Sequence, residues 1–490
     1  MKMSAEIIKS HERLSACGVR FLEFIDRRPD GMSADSYYLL ELNDPLFKLQ
    51  PWPTFIDNQA RKKIMDASQS VLNILRSIPA RVFDNDPPRM SRHYGINRDL
   101  TAYLLYGVTA EHLDRLLARG DFIYSQSGWK CLEYNVNTNL GGMALSFWES
   151  LYLATPIVSE FLQQNRVNIK NRDLYEVLFE HLASEVVKCF PAEEELNLAI
   201  VMFSGSAVET RMTREKYLNS IYEKVLKSGA CGAGPRTGRV FICDYSQMTI
   251  SGDHVYVEGK KILHLVEWCQ GFVPQPILEL FKEKKIVIYN GGITWLLSTK
   301  LNLALLSENL ETGLFDSKEK EIIETYIPWT RKVSPGETTY QGEKIRLADF
   351  IRTHREKFVL KPLLGTGGRD IYVGRYTPEE KWDHLVDQAL ATDNWEELPF
   401  TQPMTETRWI EFIKKALQVK SWVVQEYIDS STYLYQWGEN GYEEHHAVWG
   451  FFVFGSTYAG AWARVQPLSG QTGVINCHQG AKVSVVFEVD

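Results

Sequence analysis

The 490 residues predict a mixed α+β chain with an α/β segment, divided into two or three lobes. Three observations carry that expectation. A chain of this length exceeds what one hydrophobic core organises. Over residues 196–290, apolar strand-like runs alternate with helical patterns, which marks a small α/β lobe with a largely parallel sheet. Two hairpin patterns rich in polar residues and glycine flank that lobe, at 119–135 and 358–374, while residues 1–118 carry mostly helical spacing.

Composition narrows the function. Lys plus Arg total 54 against 62 Asp plus Glu, a net charge of −8. No broad basic footprint is left for nucleic acid or a membrane surface, so an anionic ligand needs local cations and backbone N–H groups. No run approaches the roughly 18 apolar residues of a membrane span, and the first twenty residues lack the apolar core of a secretory leader. Cys17, Cys131, Cys189, Cys231, Cys243, Cys269 and Cys477 are odd in number and never form a CxxC pair. They read as reduced thiols of a cytoplasmic protein.

Taken in order, residues 59–78 show helical spacing through Ile64, Ala67, Val71, Ile74 and Leu75 after the break at Pro51-Trp52-Pro53. Residues 93–99 form a polar island. The hairpin then has Phe122 to Tyr124 as one arm, Ser125-Gln-Ser-Gly128 as turn and Trp129 to Tyr134 as the other arm. Such pairing brings Asp121 toward Glu133, and Asn135, two residues on, shares Glu133's face. Two carboxylates and an amide oxygen suit a hard dication; an ordinary hairpin with a polar face has the same pattern. The loop from Asn135 through Asn137, Thr138 and Asn139 to Gly142 could present N–H groups to an anion, or simply turn the chain into the aromatic helix at 143–152.

Strands are expected at 196–203, 239–244, 255–258, 262–266 and 285–289. Ser204-Gly-Ser206 lacks either phosphate-loop pattern and reads as a structural turn. Further on, Phe358-Val-Leu-Lys361-Pro is a strand ending in a lysine, and Gly365-Thr366-Gly367-Gly368 is a flexible turn before a returning strand. A glycine turn can fold over phosphates, with the lysine as the nearby cation. The strand ending in Gln425-Glu426-Tyr427-Ile428 fits a hinge against an adenine edge. Arg464, amid apolar residues, requires an anion, either a ligand or a structural partner. His445, His446 and His478 lack the spacing of a zinc site.

The elements Phe-Val-Leu-Lys-Pro, Gly-Thr-Gly-Gly, Ile-Tyr-Val-Gly and Trp-Val-Val-Gln-Glu-Tyr-Ile together resemble the nucleotide-binding half of an ATP-grasp ligase. Because Leu-Glu133-Tyr-Asn135 comes more than 200 residues earlier, the order is similar to the circularly permuted branch. That branch includes eukaryotic-type glutathione synthetase and glutathionylspermidine synthetase, the latter sharing the spacing of Arg119-x-Asp121 and Glu133-Tyr-Asn135. The resemblance covers residues 120–490 in islands. It implies a permuted ATP-grasp fold with an inserted lobe like a pre-ATP-grasp domain and a helical N-terminal region. The implied boundaries are 1–118, 119–195, 196–290 and 291–490.

The same resemblance implies that Asp121, Glu133 and Asn135 hold magnesium and that Arg119 and Arg464 act at the reaction centre. It gives Lys300, Lys361, Gly365, Thr366, Gly367, Gly368, Gln425, Glu426, Tyr427 and Ile428 to ATP, and Asn137, Thr138 and Asn139 to substrate. The family's glycine loop carries a glutamate where this chain has Gly365 or Thr366. The implied activity is ATP-dependent joining of a carboxylate to an amine through an acyl phosphate. The expected acid is an amino acid, dipeptide or specialised metabolite, and a homodimer is one assembly open to the chain. An ATP-binding regulatory module and a small-molecule kinase on the same fold are the alternatives.

Overall fold

The computed structural model describes residues 4–28, 47–205, 208–232, 234–365, 367–391, 400, 403–417, 421–437, 441–469 and 472–490. Ser206 and Thr366 therefore lie outside the described residues.

Helices Ala5–Glu12, Ala16–Asp26 and Asn58–Phe83 occupy the N-terminal region. The last buries Ile64, Val71, Leu75 and Ile78, one stripe at helical spacing. The segment read as a polar island is largely helical: Pro87–Tyr94 ends at Gly95, whose φ of +68° provides the left-handed cap, and Arg98–Leu104 follows.

The largest sheet has seven strands. Its order runs Thr54–Ile56, Lys482–Glu488, Thr457–Pro467, Gly441–Phe454, Leu117–Ser125 and Gly128–Val136, with Tyr433–Trp437 also paired to Gly441–Phe454. Hence strands separated by more than 300 residues lie side by side, and Gly450 is the cross-strand neighbour of Asp121. The last two strands are the predicted hairpin, with longer arms and a two-residue turn. Arg119 pairs with Asn135 and Asp121 with Glu133, so all four side chains share one face. The register slips between Asp121 and Phe122, which pairs with Cys131 and leaves Leu132 as the extra residue of a bulge.

A second sheet has the order Val287–Tyr289, His264–Glu267, Leu198–Val201 and Val240–Cys243, all parallel. Its strands read as apolar runs because parallel strands are buried on both faces. Residues 255–258 were expected among them. Instead His254–Val257 sits in a three-stranded antiparallel sheet between Met248–Ser251 and Lys260–Ile262. The alternation of buried Val255 and Val257 with half-exposed His254 and Tyr256 explains the difference, since only one face is covered.

A third sheet, antiparallel, runs Thr330–Lys332, Trp422–Glu426, Phe358–Pro362 and Tyr372–Val373. One face belongs to a separate core, where Phe358, Leu360, Trp422 and Val424 pack with Trp382 and Ile351. The strand period then turns Val359 and Lys361 to the opposite face. No helix among the described residues is long and apolar enough to cross a membrane.

Candidate functional site

The third sheet's second face and the hairpin's polar face oppose each other across a cleft. Asp121, Glu133, Lys361, Gly368, Gln425, Glu426, Tyr427, Ile428 and Arg464 line it. His446 and Asn476 line it as well, and Ile123, Val359, Val373, Val448 and Val474 give it apolar walls between these polar groups. A second hollow takes in Arg119, Glu133, Asn135, Asn137, Asn139, Gly365, Gly367 and Arg464. Glu133, Arg464 and Asn476 belong to both hollows.

Lys361 is buried, and its ammonium donates to Gln425 Oε1 at 2.6 Å and to the Leu132 carbonyl at 3.3 Å. The bulge explains the second bond, because an extra residue is left without a cross-strand partner. Burial pushes the lysine down to about 8, against the opposing pull of Glu133. Lys300 lines neither hollow but lies 3.0 Å from Glu133 Oε2, and its backbone N–H reaches the Leu363 carbonyl at the root of the glycine loop. Glu133 stays well below the usual carboxylate range. Burial would raise it, but Lys300 and Lys361 overcome that effect.

Arg119 forks onto Asp121, Nε to Oδ1 at 2.8 Å and Nη2 to Oδ2 at 3.0 Å, while its Nη1 donates to the Gly141 carbonyl at 2.6 Å. Arg464 Nη2 lies 2.9 Å from the same Oδ2, and Asn135 Nδ2 lies 3.2 Å from it. Arg464 therefore has a structural anion in Asp121, and it also faces the space where a ligand would sit.

Other predicted residues are used differently. Gln425 grips no open edge, since its amide nitrogen donates to Thr330 Oγ1 at 3.1 Å while its oxygen holds Lys361. The backbone N–H groups of Glu426 and Tyr427 donate to Trp329 and Lys357 carbonyls. Thr138 is buried, and its hydroxyl donates to the Glu267 carbonyl of the parallel sheet, so it ties the loop to that lobe. Asn137 and Asn139 remain in the second hollow.

The glycine loop forms a partition, with Gly365 and Gly367 on one side and Gly368 on the other. Gly367 and Gly368 have φ of +69° and +71°. A Cβ on Gly367 would stand 2.6 Å from His478 Cδ2, and one on Gly368 2.9 Å from Val474 Cγ1. Only glycine lets this loop lie so close against residues 472–480. That second loop supplies Asn476 and His478 to the second hollow. Asn476 Oδ1 accepts the His478 N–H at 3.0 Å, which fixes the short turn there. Phe47 and Leu140 are further lining residues with no signal in the sequence pattern.

No group of three or more His, Cys, Asp or Glu suited to a metal occurs among the described residues. The donors at the junction are oxygens: one carboxylate, Glu133, that among the described residues has only Lys300 as an ion-pair partner, and the Asn135 amide. Such a set fits a hard dication that draws its remaining ligands from water and phosphate.

One solved structure aligns over the whole chain. A glutathione synthetase-like effector from Globodera pallida, in its apo form, matches 100% of this chain and 98% of its own at a TM-score of 0.52 and 11% identity. The chain is similar in fold to that glutathione synthetase-like protein. A proposed gamma-glutamylcysteine synthetase from Methylobacillus flagellatus matches 85% of this chain and 87% of its own at 11% identity, but its TM-score of 0.40 carries no argument. No family model matches the sequence. No curated protein matches it either.

Proposed function

We propose that the protein is a circularly permuted ATP-grasp ligase that joins a carboxylate to an amine and converts ATP to ADP and phosphate. The observation that carries the reading is the meeting of two hollows at Glu133, Arg464 and Asn476. A nucleotide in the apolar-walled cleft would bring its terminal phosphate to that junction, beside a second chamber able to hold the acid. The glutathione synthetase-like fold supports it. In this reading residues 119–195 form the metal-binding part, 196–290 a substrate lobe, and 291–490 the nucleotide half with its lid.

The steps follow from charge. A substrate carboxylate oxygen bonds to the γ-phosphorus, the bond from that phosphorus to the bridging oxygen breaks, and ADP leaves. The amine nitrogen then bonds to the acyl carbon, the bond to the phosphate oxygen breaks, and phosphate departs with that electron pair while the nitrogen loses a proton. Two anions must first be brought together, so preorganised cations supply most of what the protein can contribute. Lys361 faces the phosphates directly. Lys300 holds Glu133 in place, and Arg119 and Arg464 offset charge near the transferring group. Glu133 and Asn135 would hold magnesium, which when bound neutralises phosphate charge. The glycine loop, resting on residues 472–480, would exclude water from the acyl phosphate.

The test is amine-dependent ADP release against a panel of amino acids and dipeptides, with the amide product sought by mass spectrometry. Glu133→Ala should abolish that release in a chain that still folds. Turnover retained in this variant would sink the reading. Phosphorylated substrate without amide would point to a kinase, and nucleotide binding without ADP release to a regulatory module.

A further inference from the structure

We infer that Asp121 is the positioning residue of a two-arginine clamp, not a metal ligand, and that it aims Arg119 and Arg464 at the junction of the two hollows. What the clamp serves rests on the ligase reading above.

A carboxylate offers about four lone-pair directions. Asp121 accepts three hydrogen bonds and meets a second guanidinium as an ion pair. Oδ1 accepts Arg119 Nε at 2.8 Å, and Oδ2 meets Arg119 Nη2 at 3.0 Å, Arg464 Nη2 at 2.9 Å and Asn135 Nδ2 at 3.2 Å. Oδ1 has one further direction, but the residue is only 2% exposed and both guanidiniums stand against it. A dication approaching Oδ1 would have two guanidinium charges standing beside it, one of them bonded to that same oxygen. Glu133 differs: one oxygen meets Lys300, and the side chain reaches both hollows.

The surroundings are shaped to the same end. Both guanidinium carbons lie 5.4 Å from the centre of the Trp462 ring, so the indole braces the two arginines. Gly450, opposite Asp121, leaves the space they need: a Cβ there would sit 2.9 Å from Arg119 Cδ and overlap the indole. The single negative charge lets two guanidiniums stand together, and their forked donors are then fixed before the substrate arrives.

The experiment uses Mn2+ as probe, followed by electron paramagnetic resonance on the full chain with a non-hydrolysable ATP analogue, beside steady-state ADP release. Asp121→Asn is expected to keep Mn2+ affinity within about 2-fold, whereas Glu133→Gln weakens it by at least about 10-fold. In Asp121→Asn, kcat should fall by about 100-fold with little change in the KM for ATP, the split expected when fixed charge is lost only in the transition state. Equal loss of Mn2+ in the two variants would overturn the clamp. If Asp121→Asn does not fold, Asp121→Ser is read in the same way: Mn2+ affinity kept within about 2-fold supports the clamp, and a loss equal to that of Glu133→Gln overturns it. An unaltered chain that binds neither Mn2+ nor the nucleotide analogue would instead overturn the ligase reading, and this assignment with it.

Discussion

Lys361 Nζ stands 2.6 Å from Gln425 Oε1 and 3.3 Å from the carbonyl of Leu132, a residue 229 positions earlier in the chain. A lysine of one sheet is thus held by the neighbouring strand of that sheet and by the bulge of another. Both partners are neutral oxygens, so in the absence of nucleotide the ammonium has no directly bonded anion, and its burial favours the uncharged form.

That arrangement sets a pH dependence on nucleotide binding. Lys361 is lowered to about 8 by burial, and phosphate binds the charged form. Affinity for ATP should be nearly flat below neutral pH and fall by up to about 10-fold per unit above pH 8, with proton uptake on binding. The sign for folding is opposite. Between about pH 8 and the ordinary lysine value of 10.5, the unfolded chain holds a proton that the folded one has lost, so this group's destabilisation is relieved as pH rises. Calorimetry from pH 6 to 9 in buffers of different ionisation enthalpy checks the binding arm. Affinity unchanged across that range would show that Lys361 does not meet the phosphates.

The hairpin at 117–136 was legible because its signals are local: alternation, a polar turn, and two residues sharing a face. The pairing of Asp121 with Glu133 follows from these alone. Contacts across the chain had no local signal. Arg464 was read as needing an anion, but nothing in the sequence says that this anion is Asp121, 343 residues away. Asn476 and His478 had no local signal either, because what brings them to the site is the packing of their loop against Gly367 and Gly368. Thr138 shows the converse. It lies in the loop that the resemblance gives to substrate, yet its hydroxyl is spent on the Glu267 carbonyl.

Glu267 carries a prediction of its own. It is fully buried at the end of a parallel strand, where Oε2 accepts the N–H groups of Cys269 and Gly271, both at 2.9 Å, and Oε1 has no partner among the described residues. Burial raises its carboxyl from 4.5 to about 8. Between those values the folded chain keeps a proton the unfolded one has lost, so stability should fall as pH rises, by at most about 1.4 kcal/mol per unit from this group. Glu267→Gln keeps an acceptor for the two N–H groups and should flatten that slope. Denaturant melts at pH 5, 6, 7 and 8 compare the two proteins. Parallel curves would mean that Glu267 is charged in the folded state.

Asn476 and Asn139 separate the two hollows experimentally. Asn476 borders both, whereas Asn139 borders only the second. If the cleft holds nucleotide and the second hollow holds the acid, Asn476→Ala should raise the KM for both substrates, by about 10-fold each if one hydrogen bond to each is lost. Asn139→Ala should raise the KM for the acid alone. The Asn476 side chain also caps the turn at His478, so Asn476→Asp is a useful companion: it keeps the cap acceptor but adds a negative charge beside two anions. It should lower kcat more than Asn476→Ala does, because the added charge opposes the bringing together of carboxylate and phosphate. A larger effect of Asn139→Ala on the KM for ATP than on that for the acid would reverse the assignment of the two hollows.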